Sequence, residues 1–491
     1  MRKFAFVLAI VPLLLGSAFA QQADSTDFGY RGLSSIFGLN PYYDFNSSGF
    51  GARSKAMGGV YMALYNDGFS SFLNPASMIH NEKSAMSLDV VNSQDNSASR
   101  SFGAASDVDG DHTRLIQAGA IAPFTYFDRD WWVGGGYRTV YDMHNEFTLP
   151  PVHLIFGGVD YTTVYTYEQT RGVDALNLAL AGAPVPELSQ FALGINLNVF
   201  VRGYRGNLWG TTTWTDTLTG NPMSAREHHN DKSTFSGASV DIGALVDLDM
   251  LKFGLKVTPA YTLSQSVVFT TADVNPYGED VGLINRIDVN NKFPLSFAAG
   301  LSYTPYENLT LAADIEQKPL SDVRIDVDPE SGVYSGKSNF NPGWEDLTQF
   351  RLGAEYVLDA GFARIPVRAG AQNLPSIMRS FTRVVDYTQA YIDSMRIFHD
   401  TDVADSITYG DQINTNLFSF GAGLKFERIW FDIAYQFGSS NYSQTDIDYN
   451  YLRFPFESGL TSGVRFSYNS MYLSPSQLDY SRLYFSMGML F

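Results

Sequence analysis

Apolar and polar residues alternate one by one along several stretches of this chain. Leu309, Leu311, Ala313 and Ile315 alternate with Thr310, Ala312, Asp314 and Glu316. Phe418, Phe420, Ala422, Leu424 and Phe426 alternate with Ser419, Gly421, Gly423 and Lys425, and Ile429, Phe431, Ile433, Tyr435 and Phe437 with Trp430, Asp432, Ala434 and Gln436. Successive side chains of a strand point to opposite faces, so each stretch predicts a strand with one apolar face and one polar or very small face. Strands are expected at 83–93, 113–123, 131–142, 173–183, 189–202, 234–248, 251–269, 294–304, 308–317, 348–358, 364–372, 416–426, 429–437 and 482–491. The gaps between them sort by length: long gaps of 19 to 44 residues alternate with short gaps of 2 to 7. A soluble sandwich has no reason to segregate its loops in this way. A membrane barrel does, with short turns on one rim and long loops on the other. The expected fold is therefore all-β, a transmembrane antiparallel β-barrel of about 14 strands over residues 83–491.

Both ends of the chain fit export to an outer membrane. Arg2 and Lys3 precede the apolar run Phe4 to Leu15, and Ala18-Phe19-Ala20 supplies small residues at the positions a signal peptidase needs. The run is too short to cross a bilayer as a helix, which takes about 20 residues, so residues 1–20 read as a signal peptide. No later segment has eighteen uninterrupted apolar residues. At the other end Leu483, Phe485, Met487, Met489 and Phe491 alternate with Tyr484, Ser486 and Gly488 and finish on an aromatic residue. This resembles the C-terminal signal read by the barrel-assembly machinery of bacterial outer membranes, with Tyr484, Phe485 and Phe491 as its carriers. Closing the sheet also removes the edges that so many apolar strands would expose.

Composition narrows the function classes. Lys plus Arg total 33 against 51 Asp plus Glu, a net charge of −18, which argues against nucleic acid as a partner. With 45% hydrophobic and 17% charged residues the chain is not a disordered polyelectrolyte. There is no cysteine, hence no disulfide, thiolate metal site or thiol nucleophile. Asp107, Asp109 and Asp111 have a spacing that could hold Ca²⁺, but the downstream bidentate Glu of an EF-hand loop is missing, so a solvated acidic loop is the simpler reading. Gly336-Lys337-Ser338 has its upstream glycine, Gly332, one residue too close for a phosphate loop, and neither G-x-S-x-G nor H-E-x-x-H occurs. No catalytic set assembles, no cofactor or metal is expected, and the chain reads as a non-enzyme.

Residues 21–82 do not read as barrel strands. Their dense part runs from Gly49 to Gly68 and includes Gly58, Gly59, Ala63 and Asp67, followed by Leu73-Asn74-Pro75-Ala76-Ser77. The small residues let backbone pack closely, and Asn74-Pro75 favours a fixed turn. This segment resembles the N-terminal hatch of FadL-type outer-membrane transporters of long-chain fatty acids and other hydrophobic compounds. Phe350-Arg351-Leu352-Gly353 and Ile365-Pro366-Val367-Arg368 also look like later strands of that family. The resemblance implies a barrel of 14 strands plugged by a hatch over residues 21–82, passive movement of a hydrophobic small molecule, and contact with outer-membrane lipids. Two positions depart from the family pattern: Asn66-Asp67-Gly68 replaces an Asp-Asp-Ala type of turn, and Ser77-Met78 replaces Gly-Leu. PorV-like barrels share the hatch signature but serve protein secretion, so a partner-binding scaffold is the alternative role.

Two further groups of residues carry expectations. Arg351, Glu355, Arg368, Asp314, Asp432 and Lys425 fall on the face opposite the apolar one, mix signs, and are expected to pair with one another and with the hatch inside the lumen. The long connection 143–172 holds an unusually apolar run, with Phe147, Leu149, Val152, Leu154, Ile155 and Phe156. Exposed apolar patches mark binding sites or interfaces. The run reads either as a small satellite core or, by the family resemblance, as an extracellular docking place for a hydrophobic substrate.

Overall fold

The computed structural model describes residues 51–64, 72–81, 83–101, 104–148, 152–156, 159–185, 190–215, 219–275, 278–327, 339–386, 405–449 and 472–491. Its strands are Ala85–Ser101 (β1), Ala104–Tyr126 (β2), Arg129–Asp142 (β3), Asn145–Thr148 (β4), Val152–Phe156 (β5), Val159–Gly182 (β6), Phe191–Val201 (β7), Tyr204–Thr215 (β8), Pro222–Leu248 (β9), Leu251–Thr258 (β10) and Tyr261–Asn275 (β11). They continue with Gly278–Phe293 (β12), Ser296–Tyr306 (β13), Leu309–Lys318 (β14), Arg324–Val327 (β15), Asn339–Phe340 (β16), Leu347–Asp359 (β17), Arg364–Asp386 (β18), Asp405–Lys425 (β19), Ile429–Tyr449 (β20) and Tyr472–Leu490 (β21). Antiparallel ladders run β1–β2–β3–β6–β7–β9–β10–β13–β14–β17–β18–β19–β20–β21. Pairing of β21 back to β1, from Ala85 opposite Leu490 to Ala98 opposite Gln477, closes a barrel of 14 strands.

Alternation decides which face each residue takes. Along β7, Leu193, Ile195, Leu197 and Val199 point outward while Ala192, Asn196 and Asn198 are buried inside. Phe350, Leu352, Phe418, Phe420, Phe485 and Met487 extend the outward apolar band around the wall. In lipid such a band is stabilising, whereas a Lys or Arg there costs about 2–4 kcal/mol at the midplane. Short connections gather on one rim. Two of them, Phe127-Asp128 and the one through Asp249, use left-handed backbone at non-glycine residues, as tight hairpin turns between right-twisted strands demand.

The structure corrects two expectations about strand extent. Much of what was expected as long loops is strand: β1 runs to Ser101 and β2 starts at Ala104, and β11 and β12 fill most of 270–293. The added stretches are rich in polar residues, as in Asn92-Ser93-Gln94-Asp95-Asn96-Ser97, so they carry no clean apolar–polar alternation for sequence reading to catch. The expected strand 251–269 is broken at Pro259-Ala260, and β12 and β13 are separated at Pro294-Leu295. Proline has no N–H to donate to a ladder, and β10 pairs with β13 below the break while β11 pairs with β12 above it.

Candidate functional site: a plugged lumen with an apolar interior

Two pieces of the N-terminal segment lie inside the barrel. Gly51–Ala56 (α1) is a short helix whose residues are almost all buried, and Pro75–His80 forms a 3-10 turn capped by the Asn74 side chain. Wall side chains grip backbone directly. The Gly51 amide donates to Asp89 at 2.8 Å and the Ala52 amide to the Ser486 hydroxyl at 2.6 Å. Ser419 accepts from the Gly58 amide at 2.9 Å and donates to the Ala56 carbonyl at 3.1 Å. Asp314 accepts from the amides of Tyr61 at 2.6 Å and Met62 at 3.1 Å, and Ser302 donates to the Ala63 carbonyl at 2.9 Å. Asn74 donates to the carbonyls of Met62 at 2.7 Å and Ala244 at 3.3 Å, tying both pieces to the wall. Wall glycines make this close approach possible: a Cβ on Gly254 would collide with the Met62 carbonyl, and one on Gly370 with the Gly58 amide.

The charged residues expected in the lumen meet there. Arg368 bridges Glu355, at 2.6 Å, and Asp432, and Arg53 of α1 makes a two-pronged contact with Glu355 at 2.7 and 3.0 Å. Arg351 pairs with Glu316 and lies 5.1 Å from the centre of the Tyr61 ring, with Lys256 5.3 Å from it. Burial pushes the Tyr61 phenol up to about 12, so it stays neutral between the two cations. Lys425 is only partly buried, at the short-turn rim. Tyr61, Arg138, Asp241, Lys256 and Glu316 were not singled out from sequence. The run Lys252-x-Gly254-x-Lys256 between outward apolar residues carries the signal for Lys256, because a lysine at a strand's inward position needs a lumenal partner.

On the side of the long connections the lumen changes character. Buried Tyr141, Phe200, Phe235, Phe293, Leu320 and Trp344 belong to one apolar cluster on the inner face, where an open porin would be polar. Rings of three strands stack in sequence: Phe200 on Tyr261 at 5.5 Å, Tyr261 on Phe293 at 5.1 Å, and then Trp344 at 6.4 Å from Phe293. A cavity of about 70 Å³ borders this cluster. Its apolar lining includes Tyr141, Phe200, Tyr261, Phe293 and Leu320, and its polar lining Arg138, Asp241, Lys256, Thr258 and Glu316. Lys256 also reaches the Tyr61 hydroxyl at 3.4 Å, so plug and cavity share a wall.

The remaining expected site residues fall as follows. Gly58, Gly59, Ala63, Asn74, Pro75 and Ala76 are buried against the wall; Asp67 lies outside the described residues. Phe147 is in β4, and Val152, Leu154, Ile155 and Phe156 form β5; both strands pair with β6, and Leu149 lies outside the described residues. The expected loop is thus largely a ladder. Tyr484 points inward, buried with Ala52 and Ala56, while Phe485 and Phe491 face out and the Phe491 amide donates to the Ser84 carbonyl at 2.9 Å.

No known family's sequence profile matches the chain, and no curated protein matches it by sequence. By structure it is similar to the Pseudomonas putida toluene transporter TodX, at 13% identity and a TM-score of 0.51, over 90% of this chain and 99% of that one. It is similar to the Ralstonia pickettii toluene transporter TbuX at 14% identity and a TM-score of 0.50, over 91% of this chain and 100% of that one. The CymD monoaromatic hydrocarbon channel matches at 14% and 0.50, over 91% and 99%. The fold is shared, and it is the barrel that the FadL resemblance implies.

Proposed function

We propose that this chain is a FadL-type outer-membrane transporter that passes hydrophobic small molecules passively through a plugged barrel. The observation that carries the reading is the apolar, aromatic-lined interior bordering a cavity whose Lys256 reaches Tyr61 of the N-terminal segment. Water gains little from such a lining, whereas an apolar solute gains about 25 cal/mol for each Å² it buries. The structural neighbours named for toluene and monoaromatic hydrocarbons fit this chemistry, and a long-chain acid would place its tail on the rings and its head near Lys256 and Arg138.

The remaining parts take their roles from this reading. Residues 1–20 direct export, residues 21–82 form the hatch, and the hatch anchored by Asp314, Ser419 and Asn74 is the barrier to leakage. Phe491 and its neighbours address the chain to the barrel-assembly machinery, the long connections face outside, and the segment around β5 is the first docking place for cargo.

The test is entry of the hydrophobic fluorophore 1-N-phenylnaphthylamine into intact cells with and without the protein, paired with native mass spectrometry of detergent-purified protein. Faster entry and a bound lipid-like ligand are expected. Unchanged entry together with a co-purifying protein would replace transport by the secretion-scaffold role. Leu154→Asp with Phe156→Asp is expected to slow entry in a barrel that still assembles; unchanged entry would remove the docking role from that segment.

A further inference from the structure

We propose that the strap Asn341-Pro342-Gly343-Trp344-Glu345-Asp346 is a lid, with Trp344 as a stopper on the apolar interior and the Glu345–Arg379 pair as its catch. The proposal rests on the transport reading for its purpose, and on the following observations for its mechanics.

The strap occupies a gap in the sheet. Beyond the Lys318–Leu347 pair, β14 and β17 part. On one side β15 pairs with β12 and β16; on the other β18 pairs with β19, and among the described residues no ladder joins the two sides. Residues 341–346 lie in that gap without strand structure. Pro342 cannot donate to a ladder, and Gly343 takes a φ of +67° with open space around it, which suits a hinge. The Gly343 amide donates to the Asn341 side chain at 2.7 Å, closing a local turn, and that side chain in turn donates to the Ser321 carbonyl at 2.6 Å.

Its fastenings are polar and local. Glu345 takes a two-pronged contact from Arg379 at 2.6 and 2.9 Å, and its amide donates to the Ile377 carbonyl at 2.8 Å. Gln412 donates to the carbonyls of both Asp346 and Ser376 at 2.8 Å, and Asp346 accepts from the Ser321 amide at 2.9 Å. The Glu345–Arg379 pair is open to water, with Arg379 about half exposed at 49%. Such pairs are weak and screened by salt, as suits a catch that must release. The wall yields at the same place: the β18–β19 register slips on both sides of Arg379.

The side chain carried inward is apolar. Trp344 is 6% exposed and sits 6.4 Å from Phe293, the ring that also lines the cavity. Swinging the strap about Pro342-Gly343 would lift Trp344 off the end of the stacked rings and open the cluster to the outside without breaking any barrel ladder.

The chain has no cysteine, so Glu345→Cys with Arg379→Cys introduces the only thiols. Joining them with a short, cleavable bis-methanethiosulfonate reagent locks the strap. The expected result is loss of 1-N-phenylnaphthylamine entry into intact cells on locking and recovery on cleavage with reductant. Glu345→Gln should raise the entry rate about twofold to fivefold, the weight of an exposed ion pair, and Trp344→Ala should raise it at least as much. Entry that is the same locked and unlocked, with heat-modifiable barrel in both states, overturns the lid. If the wild-type protein itself does not speed entry, the transport reading fails and the lid is decided by hydrogen exchange. Faster exchange of the 341–346 amides in Glu345→Gln, with β17 unchanged, upholds a releasable strap; equal exchange overturns it.

Discussion

The two halves of the lumen are built on opposite principles. Around the plug, the wall offers Asp89, Asp314, Ser419, Ser486 and the Arg53–Glu355–Arg368–Asp432 ionic chain, each aimed at a particular amide or charge. Elsewhere on the inner face, other strands turn Tyr141, Val173, Phe200, Val267 and Phe293 inward and offer almost nothing directional. Directional bonds hold one segment in one pose. An apolar surface accepts any solute of suitable size and lets it move on, because dispersion and hydration forces have little angular preference. One barrel can therefore hold a tightly fixed segment and an apolar interior side by side, with Lys256 and Glu316 at the boundary.

The largest expected effect comes from breaking the polar half. Arg368→Met strands Asp432 in a buried site and leaves Glu355 with Arg53 alone, and should cost about 3–5 kcal/mol, read as a lower temperature for loss of the heat-modifiable form; a variant as stable as wild type would show that the ionic chain does not hold the fold. Next, Asp314→Ala removes the acceptor of two plug amides and should cost about 2–4 kcal/mol locally. Hydrogen exchange at the amides of Tyr61 and Met62 should speed by tenfold or more while barrel amides stay protected. Sharpening the other half, Phe293→Ser should leave those amides unmoved but weaken binding of a hydrophobic ligand by about 1–2 kcal/mol, measured by titration in detergent.

The smallest effect concerns the exposed Arg286–Asp288 contact on β12 at 3.1 Å. The Ser266 hydroxyl and Arg286 hold the Asp288 carboxyl below its usual range. A depressed carboxylate stabilises the fold above its unfolded value near 4, and that contribution fades as pH falls through the lower folded value. With both groups largely in water, Asp288→Asn should change stability by no more than about 0.5 kcal/mol at neutral pH; a larger change would place this strand under stronger electrostatic control than the plug contacts suggest.

Period-two alternation and the sorting of short and long connections made the barrel and its strand number legible in the sequence. They do so because each strand independently carries an outward apolar face, a pattern written locally in residues such as Leu193, Ile195, Leu197 and Val199. The inward charges Arg351, Glu355, Arg368 and Asp432 were legible as a group for the same reason, but not their partners. Which acid meets which base depends on how the strands stagger around the barrel, and Arg53 reaches Glu355 across 302 positions of sequence. The apolar interior was hidden altogether. Phe200, Phe235 and Val267 are apolar whether they face lipid or lumen, so only the closed barrel, with its breaks at Pro259 and Pro294, decides that they turn inward. The strap was equally silent: Asn341-Pro342-Gly343 announces a turn, but only the unpaired gap between β15 and β18 puts Trp344 over Phe293. Sequence thus settled what each strand shows on the outside of the barrel, and tertiary structure settled what the strands show to one another.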